Sequence, residues 1–489
     1  MAYKHGAYGE ITESKVERAT QADVVAGYIG TAPVNLIRGW ASADLVNVPI
    51  KISNMGDAQS KLGYAGDWGK FTLCEAFAQH FDNTVQNIGP IYVVNVLDPA
   101  THKKAQPTTK QLTLANKRAE FESTTIILDS FAIEDKVEGT DYTLAYNFAK
   151  GTVILTWIGA SAPASVSATF SEVDPSAVAA ADIIGNQTAA GVYTGLFAFK
   201  LLYQYFGAVL NILAAPGWSD QPSVYTAMVA TVTKLNGHWD GFVNADIPLM
   251  NGSTAISTIA QAIAWKGDNG YTAENSKVYW PQVKDGSGRV FHLSTVATAT
   301  MLATDLGNES VPFESPSNKE IMATAQYFGA TSTNRGFDQD TANSLNEQGI
   351  TTACFWASRW VLWGPHTAAY AFNGNMDARA VFDCNIRMLM HITNGFQLDH
   401  GTEIDQPMTP QDRDAILSAE RERLDTLKGI GALIGEPVVE FVEAENPLSN
   451  MVNGDFTWHF NVTNTPPFKS ATGRVTYTDE GFQAFYEGE

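Results

Sequence analysis

The sequence predicts an α/β (α+β multidomain) fold: an α/β core domain, a small all-β domain inserted into it, a C-terminal α+β domain, and extended arms at both chain ends. Three observations predict it. Helical apolar periodicity alternates with short, wholly apolar runs over residues 21–100 and again over 189–370. That is the pattern of strands buried on both faces of a largely parallel sheet with helices against it. Between those stretches, residues 101–188 turn to Thr-, Ser-, Val- and Ala-rich runs with turn residues between them, which indicates a small β module. Lastly, Phe456–Val462 is apolar at every second position, so Phe456, Trp458, Phe460 and Val462 share one face of a strand.

Residues 1–20 are polar and short of core, and read as an N-terminal arm or as a frayed tail. Extended at about 3.3 Å per residue, such a segment spans about 65 Å, roughly twice a small domain. In the core, Val24–Gly30 reads as a strand ending at Thr31-Ala32-Pro33. Phe71–Phe81 has helical spacing, and Ile91–Leu97 is a buried strand that stops at Asp98-Pro99. Within the inserted module, Thr124–Leu128, Tyr142–Phe148 and Thr152–Ile158 read as strands. The α/β pattern returns with helix Val192–Phe206, strand Val209–Leu213, helix Ser223–Leu235 and strand Gly241–Asn244. Ser332–Gly349 is polar and reads as a long loop.

Residues 371–470 carry two helices and a hairpin. Asp377–Thr393 has Val381, Cys384, Met388, Leu389 and Ile392 on one face and is expected to stop at Asn394-Gly395. Pro410–Lys428 opens with an N-cap threonine, Thr409, then proline at N1 and Asp412 at N3. Its apolar stripe is Ile416, Leu417, Leu424 and Leu427. We place Arg413, Glu420, Arg421, Glu422, Arg423 and Asp425 on its other face, either solvated or docking a charged partner. Val438–Val442 and Phe456–Val462 then pair across a loop rich in turn residues. A two-stranded hairpin is marginal in water, and this aromatic face needs a third strand or a helix. The remaining strand candidates are Tyr8–Val16 in the N-terminal arm and Arg474–Thr478 in the C-terminal arm, 471–489. We read these ends as leaving their own subunit to pair with hairpins of neighbouring copies.

Composition narrows function. Against 52 acidic residues stand 31 basic ones, a formal charge of -21, which lacks the basic footprint that nucleic acid requires. Cys74, Cys354 and Cys384 are sparse and far apart, giving neither a disulfide framework nor a zinc site. The first residues show no apolar signal region, so a reducing cytoplasm is the expected place of synthesis. The most apolar window, Ala189–Ala215, is interrupted by Lys200 and Gln204 and reads as a core helix, not a membrane span. No catalytic constellation emerges: neither HExxH nor GxSxG occurs. Gly63–Lys70 lacks both the spacing and the Ser/Thr of a phosphate loop. Gly429-Ile430-Gly431 follows a charged helix, not a strand, and so lacks the context of a dinucleotide site. His238-Trp239-Asp240 and Asp399-His400 with Glu403 lack metal-ligand spacing. No cofactor is expected.

The ordered pieces resemble a family, the phage tail sheath proteins, including sheaths of related contractile particles such as R-type bacteriocins. The resemblance rests on His5-Gly6, Tyr8 and Glu10-Ile11; Tyr28–Pro33 with Asn47-Val48-Pro49; Ile91–Pro99; Ala215-Pro216-Gly217; and Asp246-Ile247-Pro248. It continues through Ser315–Asn318, Leu345-Asn346 with Gly349-Ile350, Trp363-Gly364 with Thr367, Leu427–Gly435 and Asn446 onward. Pro365-His366 departs from it where a basic residue is expected before Thr367, and the 101–188 module falls in a region that varies across the family.

The resemblance implies a non-enzymatic subunit that polymerises with itself as stacked hexameric rings around an inner tail tube. Baseplate and tail terminator proteins would be further partners, with no nucleic acid and no membrane. The virion tail would be its place, assembled in the host cytoplasm. Tyr8, Ile11, Val475 and Tyr477 would be the donor residues of the arms. Val439, Phe441, Phe456, Trp458, Phe460 and Val462 would form the acceptor hairpin. Arg413, Glu420, Arg421 and Arg423 would turn the charged helix toward the tube. The rival readings are a soluble α/β hydrolase or transferase, which needs a convergent polar pocket at strand C-termini, and a capsid or tube protein.

Overall fold

A computed structural model describes residues 24–330, 332, 336 and 338–486. Tyr8 and Ile11 therefore lie outside the described residues. An eight-stranded sheet forms the core, in the order Arg359–Trp363, Ile350–Trp356, Ser276–Tyr279, Phe242–Asp246, Ile212–Ala214, Ala26–Gly30, Ile91–Asn95, Pro49–Ile52. The six inner strands are parallel, and each edge strand joins antiparallel. Ala26–Gly30, Ile91–Asn95 and Phe242–Asp246 are buried along their whole length, as apolar runs in a two-sided parallel sheet must be. Close packing holds the first strand to helix Leu73–Phe81. A Cβ on Gly30 would fall 2.2 Å from Thr72 Oγ1, and Leu73 N–H donates to Thr31 O at 3.0 Å.

Between residues 108 and 170 lie two three-stranded sheets. Ser165–Phe170 buries every second residue, Val166, Ala168 and Phe170, so one face of that strand lines a separate small core where Phe121 and Phe131 stack on Phe170. Tyr142–Asn147 and Thr152–Trp157 pair as expected from their alternation. Thr124–Leu128 is not a strand. Asn35 Nδ2 donates to Thr124 O and Ile126 O at 3.0 and 2.8 Å, which ties that backbone to the core instead.

Three further expectations are corrected. Residues 195–206 do not form one α-helix: Gly195–Leu201 is 3₁₀ and only Leu202–Phe206 is α-helical. Three residues per turn align Leu196, Phe199 and Leu202, all buried, on one side. The stretch expected as a loop contains helix Gln339–Asn346, capped by Asp338, whose side chain accepts from Thr341 N–H at 2.9 Å. The helix expected to stop at Asn394-Gly395 runs Asp383–Asp399. The Asn394 side chain donates to Asp240 O and accepts from Asp240 N–H, so it bridges to the core and does not end the helix.

That helix is fastened by two buried ion pairs. Asp383, in its first turn, pairs with Lys277 on the sheet, and both side chains are fully buried. Asp383 also accepts from Ser315 Oγ and from Cys384 N–H. One turn on, Arg387 pairs with Asp305 of helix Leu293–Gly307. Burial pulls the Lys277 ammonium below its ordinary range, against the pull of Asp383. Lys277→Met should strand the Asp383 carboxylate in the interior and cost about 3–5 kcal/mol in denaturant unfolding. Lys277→Met with Asp383→Leu should recover most of that loss.

Candidate functional site

Two places in the molecule concentrate functional groups. The first is where the parallel strands end. Asp246 closes strand Phe242–Asp246, and its carboxylate accepts from Ser294 N–H at 3.0 Å, Ser219 Oγ at 3.3 Å and the Ser294 hydroxyl. Beside it, His292 Nδ1 lies 2.7 Å from Glu75 Oε2, and His292 N–H donates to Glu75 Oε1 at 2.6 Å. Strand C-termini are where open α/β sheets place ligands. Here Ser219, Ser294, Glu75 and Asp246 are all buried and bonded to one another or their neighbours. Their polar atoms are spent on joining Leu73–Phe81 and Leu293–Gly307 to the sheet. Among the described residues, no group of three His, Cys, Asp or Glu side chains is placed to hold a metal ion, and no helix is long and apolar enough to cross a membrane.

The second place is the C-terminal hairpin. Val438–Glu440 pairs antiparallel with His459–Asn461, and among the described residues this sheet has only those two strands. The Asn446 side chain clamps the loop by donating to Thr457 O at 2.8 Å and accepting from Thr457 N–H at 2.7 Å. The aromatic residues share a face as their alternation requires. Phe441 lies within 5.8 Å of Trp458, and Phe396, from helix Asp383–Asp399, packs on Phe460 at 5.6 Å and Trp458 at 6.0 Å. Val439 is buried with Met388, Ile392, Leu424 and Leu427, and Phe460 and Val462 lie against that cluster. A helix from the same chain thus roofs the hairpin's face, while the ladder stays two strands wide.

Helix Pro410–Gly429 has the expected cap: Thr409 accepts from Asp412 N–H, and Asp412 accepts from Thr409 N–H at 2.8 Å. Arg421, Glu422 and Asp425 are exposed as the sequence reading placed them, but Glu420 and Arg423 are not. Glu420 is buried, bonded to His400 Nε2 at 2.8 Å and to Arg423 Nε at 2.8 Å. Arg423 turns inward as well and donates to Ile392 O at 3.1 Å. Arg421 Nη2 donates to Val439 O at 3.1 Å, and the Arg413 guanidinium lies 5.8 Å from the Phe441 ring centre. Burial opposes the charges of His400 and Glu420, but their mutual hydrogen bond, with Glu403 and Arg423, raises the histidine and lowers the carboxyl. The signal was in the sequence: Glu420 lies four residues from both Ile416 and Leu424, on the apolar stripe. Its partner His400, twenty residues away, was not legible.

The C-terminal arm is bare. Among the described residues after Pro467 there is no strand, and Phe468, Val475, Tyr477, Phe485 and Tyr486 are 79–96% exposed.

This fold is that of subunits in contractile particles. The chain superposes on a chain of the anti-feeding prophage baseplate with a TM-score of 0.56 at 14% identity, covering 98% of this chain and all of that one. It superposes on a chain of the contracted PVC sheath complex, from an extracellular contractile injection system, with a TM-score of 0.53 at 11% identity, covering 98% and 100%. No family model matches the chain. In sequence it is 28% identical over 500 residues to the tail sheath protein of Burkholderia phage BcepMu, covering 96% of this chain and 95% of the relative. In sequence and in fold the chain is thus similar to contractile tail sheath proteins, which are structural subunits.

The His292–Glu75 contact predicts a pH dependence. Burial opposes the His292 charge, but Glu75, then Asp246 and Asp220, raise it to about 10, above the ordinary value of about 6.5. A raised histidine adds stability that is complete below about pH 6.5 and is lost as pH climbs toward 10. The thermal midpoint should fall between pH 7 and 10, and His292→Gln should start lower at pH 7 and show a flatter slope.

Proposed function

We propose that this chain is the structural subunit of a contractile tail sheath, polymerising as stacked hexameric rings around an inner tube and contracting to drive that tube through a target envelope. The single observation that carries the assembly reading is the bare C-terminal arm beside a two-stranded aromatic hairpin. Leaving Val475 and Tyr477, at 96% and 79% exposure, in water forfeits the stabilisation that burial would bring. A hairpin two strands wide has free edges to offer. Strand addition between chains answers both needs. The donors are Arg474–Thr478 and Tyr8–Val16, and the acceptor is the hairpin built on Val439, Phe441, Phe456, Trp458, Phe460 and Val462.

Each such pairing, with four or five hydrogen bonds at about 0.5–1.5 kcal/mol net, contributes only a few kcal/mol. Repeated through a lattice, these links hold while the globular bodies slide past one another. Contraction is then a passage between two packings of one chain, the contracted one burying more surface. Helix Pro410–Gly429 is the candidate face toward the tube. With Glu420, Arg421 and Arg423 engaged within the chain and Arg413 paired to Asp414, exposed Glu422 and Asp425 are the groups left to meet it. Baseplate and terminator proteins would cap the polymer, which forms in the host cytoplasm.

Purified protein should form rings or tubes by negative-stain electron microscopy. Removing residues 1–16 or 472–489, or making Val475→Asp with Tyr477→Asp, should leave subunits of unchanged circular dichroism that no longer assemble. Normal tubes from both truncations would defeat the arm model.

A further inference from the structure

The two long edges of the hairpin differ. Val438–Glu440 pairs with His459–Asn461 in the register Val438↔Asn461, Val439↔Phe460, Glu440↔His459. Alternate residues of an antiparallel ladder turn their N–H and C=O away from the partner strand. The Val439 carbonyl is met there by Arg421, which donates to it at 3.1 Å from helix Pro410–Gly429. A cationic side chain set against an unpaired strand is one way proteins blunt an edge that would otherwise recruit another chain.

The same edge carries a recognition feature. Val439 faces the core, so its neighbour Glu440 faces outward, where it is exposed and has no ion pair among the described residues. In the C-terminal arm, Val475 and Tyr477 alternate with Arg474, Thr476 and Thr478. Seating Val475 and Tyr477 on the inner face therefore puts Arg474 on the outer face with Glu440. Opposite charges on neighbouring strands attract, by roughly 0.2–1 kcal/mol relative to alanine pairs. The other edge strand presents Thr457, His459 and Asn461 outward, and the carboxylate beside it, Glu445, is already held by His459 at 2.9 Å.

We propose that the outer edge of Val438–Glu440 receives Arg474–Thr478 of a second copy, selected by an Arg474–Glu440 pair, and that Arg421 guards this edge in the free subunit. The incoming strand displaces the guanidinium and takes over the Val439 carbonyl. This rests on the strand-addition reading above and adds to it which edge is used and what keeps that edge closed. Free subunits then stay apart until a template holds arm and edge together.

Light scattering of full-length protein, with electron microscopy of the products, tests both parts. Releasing one hydrogen bond changes an equilibrium by a factor of about 2–12. Arg421→Ala should therefore shorten the assembly lag about threefold or more, at an unchanged thermal midpoint. Arg421→Gln keeps more of the stem and replaces it if the alanine variant fails to fold. Arg474→Glu and Glu440→Arg should each lengthen the lag, and the two together should restore it. An unchanged or longer lag in a folded Arg421 variant overturns the guard. Single reversals that slow assembly without rescue in the pair overturn the choice of edge, by an arm closing on its own hairpin or on the opposite edge. If Val475→Asp with Tyr477→Asp assembles like the unaltered chain, strand addition itself is wrong.

Discussion

Helix Asp383–Asp399 is the element on which the C-terminal third of the molecule depends. Its first turns are fixed in the core by Lys277–Asp383 and Arg387–Asp305. Its middle is bridged to Asp240 through Asn394. Its last turns carry Phe396, which roofs the hairpin, and His400, which clasps Glu420 on the next helix. Burying an ion pair is costly and adds little net stability, but breaking it by removing one partner is costlier still. The pairs therefore act as constraints on position. With both ends of the helix fixed, the hairpin's place relative to the eight-stranded sheet is fixed too.

The same logic closes the place where an α/β enzyme with such a sheet keeps its substrate. An enzyme leaves polar groups at strand C-termini incompletely satisfied, with room for a substrate. Here Glu75, Asp246, Ser219 and Ser294 sit at that location and are closed upon one another and upon His292. The bare arm residues and the unpaired edges of the hairpin lie at its periphery. The formal charge of -21 adds long-range repulsion between copies, so contact between them has to come from specific surfaces.

Much of this was legible in the sequence, and the failures share a cause. Ile91–Asn95 could be read because burial on both faces leaves an unbroken apolar run, and Phe456–Val462 because one-sided burial leaves alternation. The Thr409–Asp412 cap could be read because capping is local. Helix Gln339–Asn346 was hidden because only Ala342 and Leu345 are buried on it, too few for a period. Asn394-Gly395 signals a helix end locally, but Asp240, more than 150 residues away, overrides it. Glu420 and Arg423 looked like surface because a charge is assigned to solvent by default, and only its partner in space corrects that.

A contrast of strengths within the chain bears on how it could carry force. Joints inside the subunit rest on buried ion pairs whose rupture costs about 3–5 kcal/mol each, alongside an extensive apolar core. Strand links of the kind proposed between subunits rest on a handful of hydrogen bonds at about 0.5–1.5 kcal/mol each. A load applied to such a polymer would move subunits against one another before it deformed any of them. Thr465 is still bonded to Ala432 and Gly431, and the eight residues from Pro466 to Gly473 span about 26 Å when extended. A segment of that length would allow such movement without pulling an added strand from its edge. Rigidity inside and slack between are together what a sheath needs to change length and remain one object.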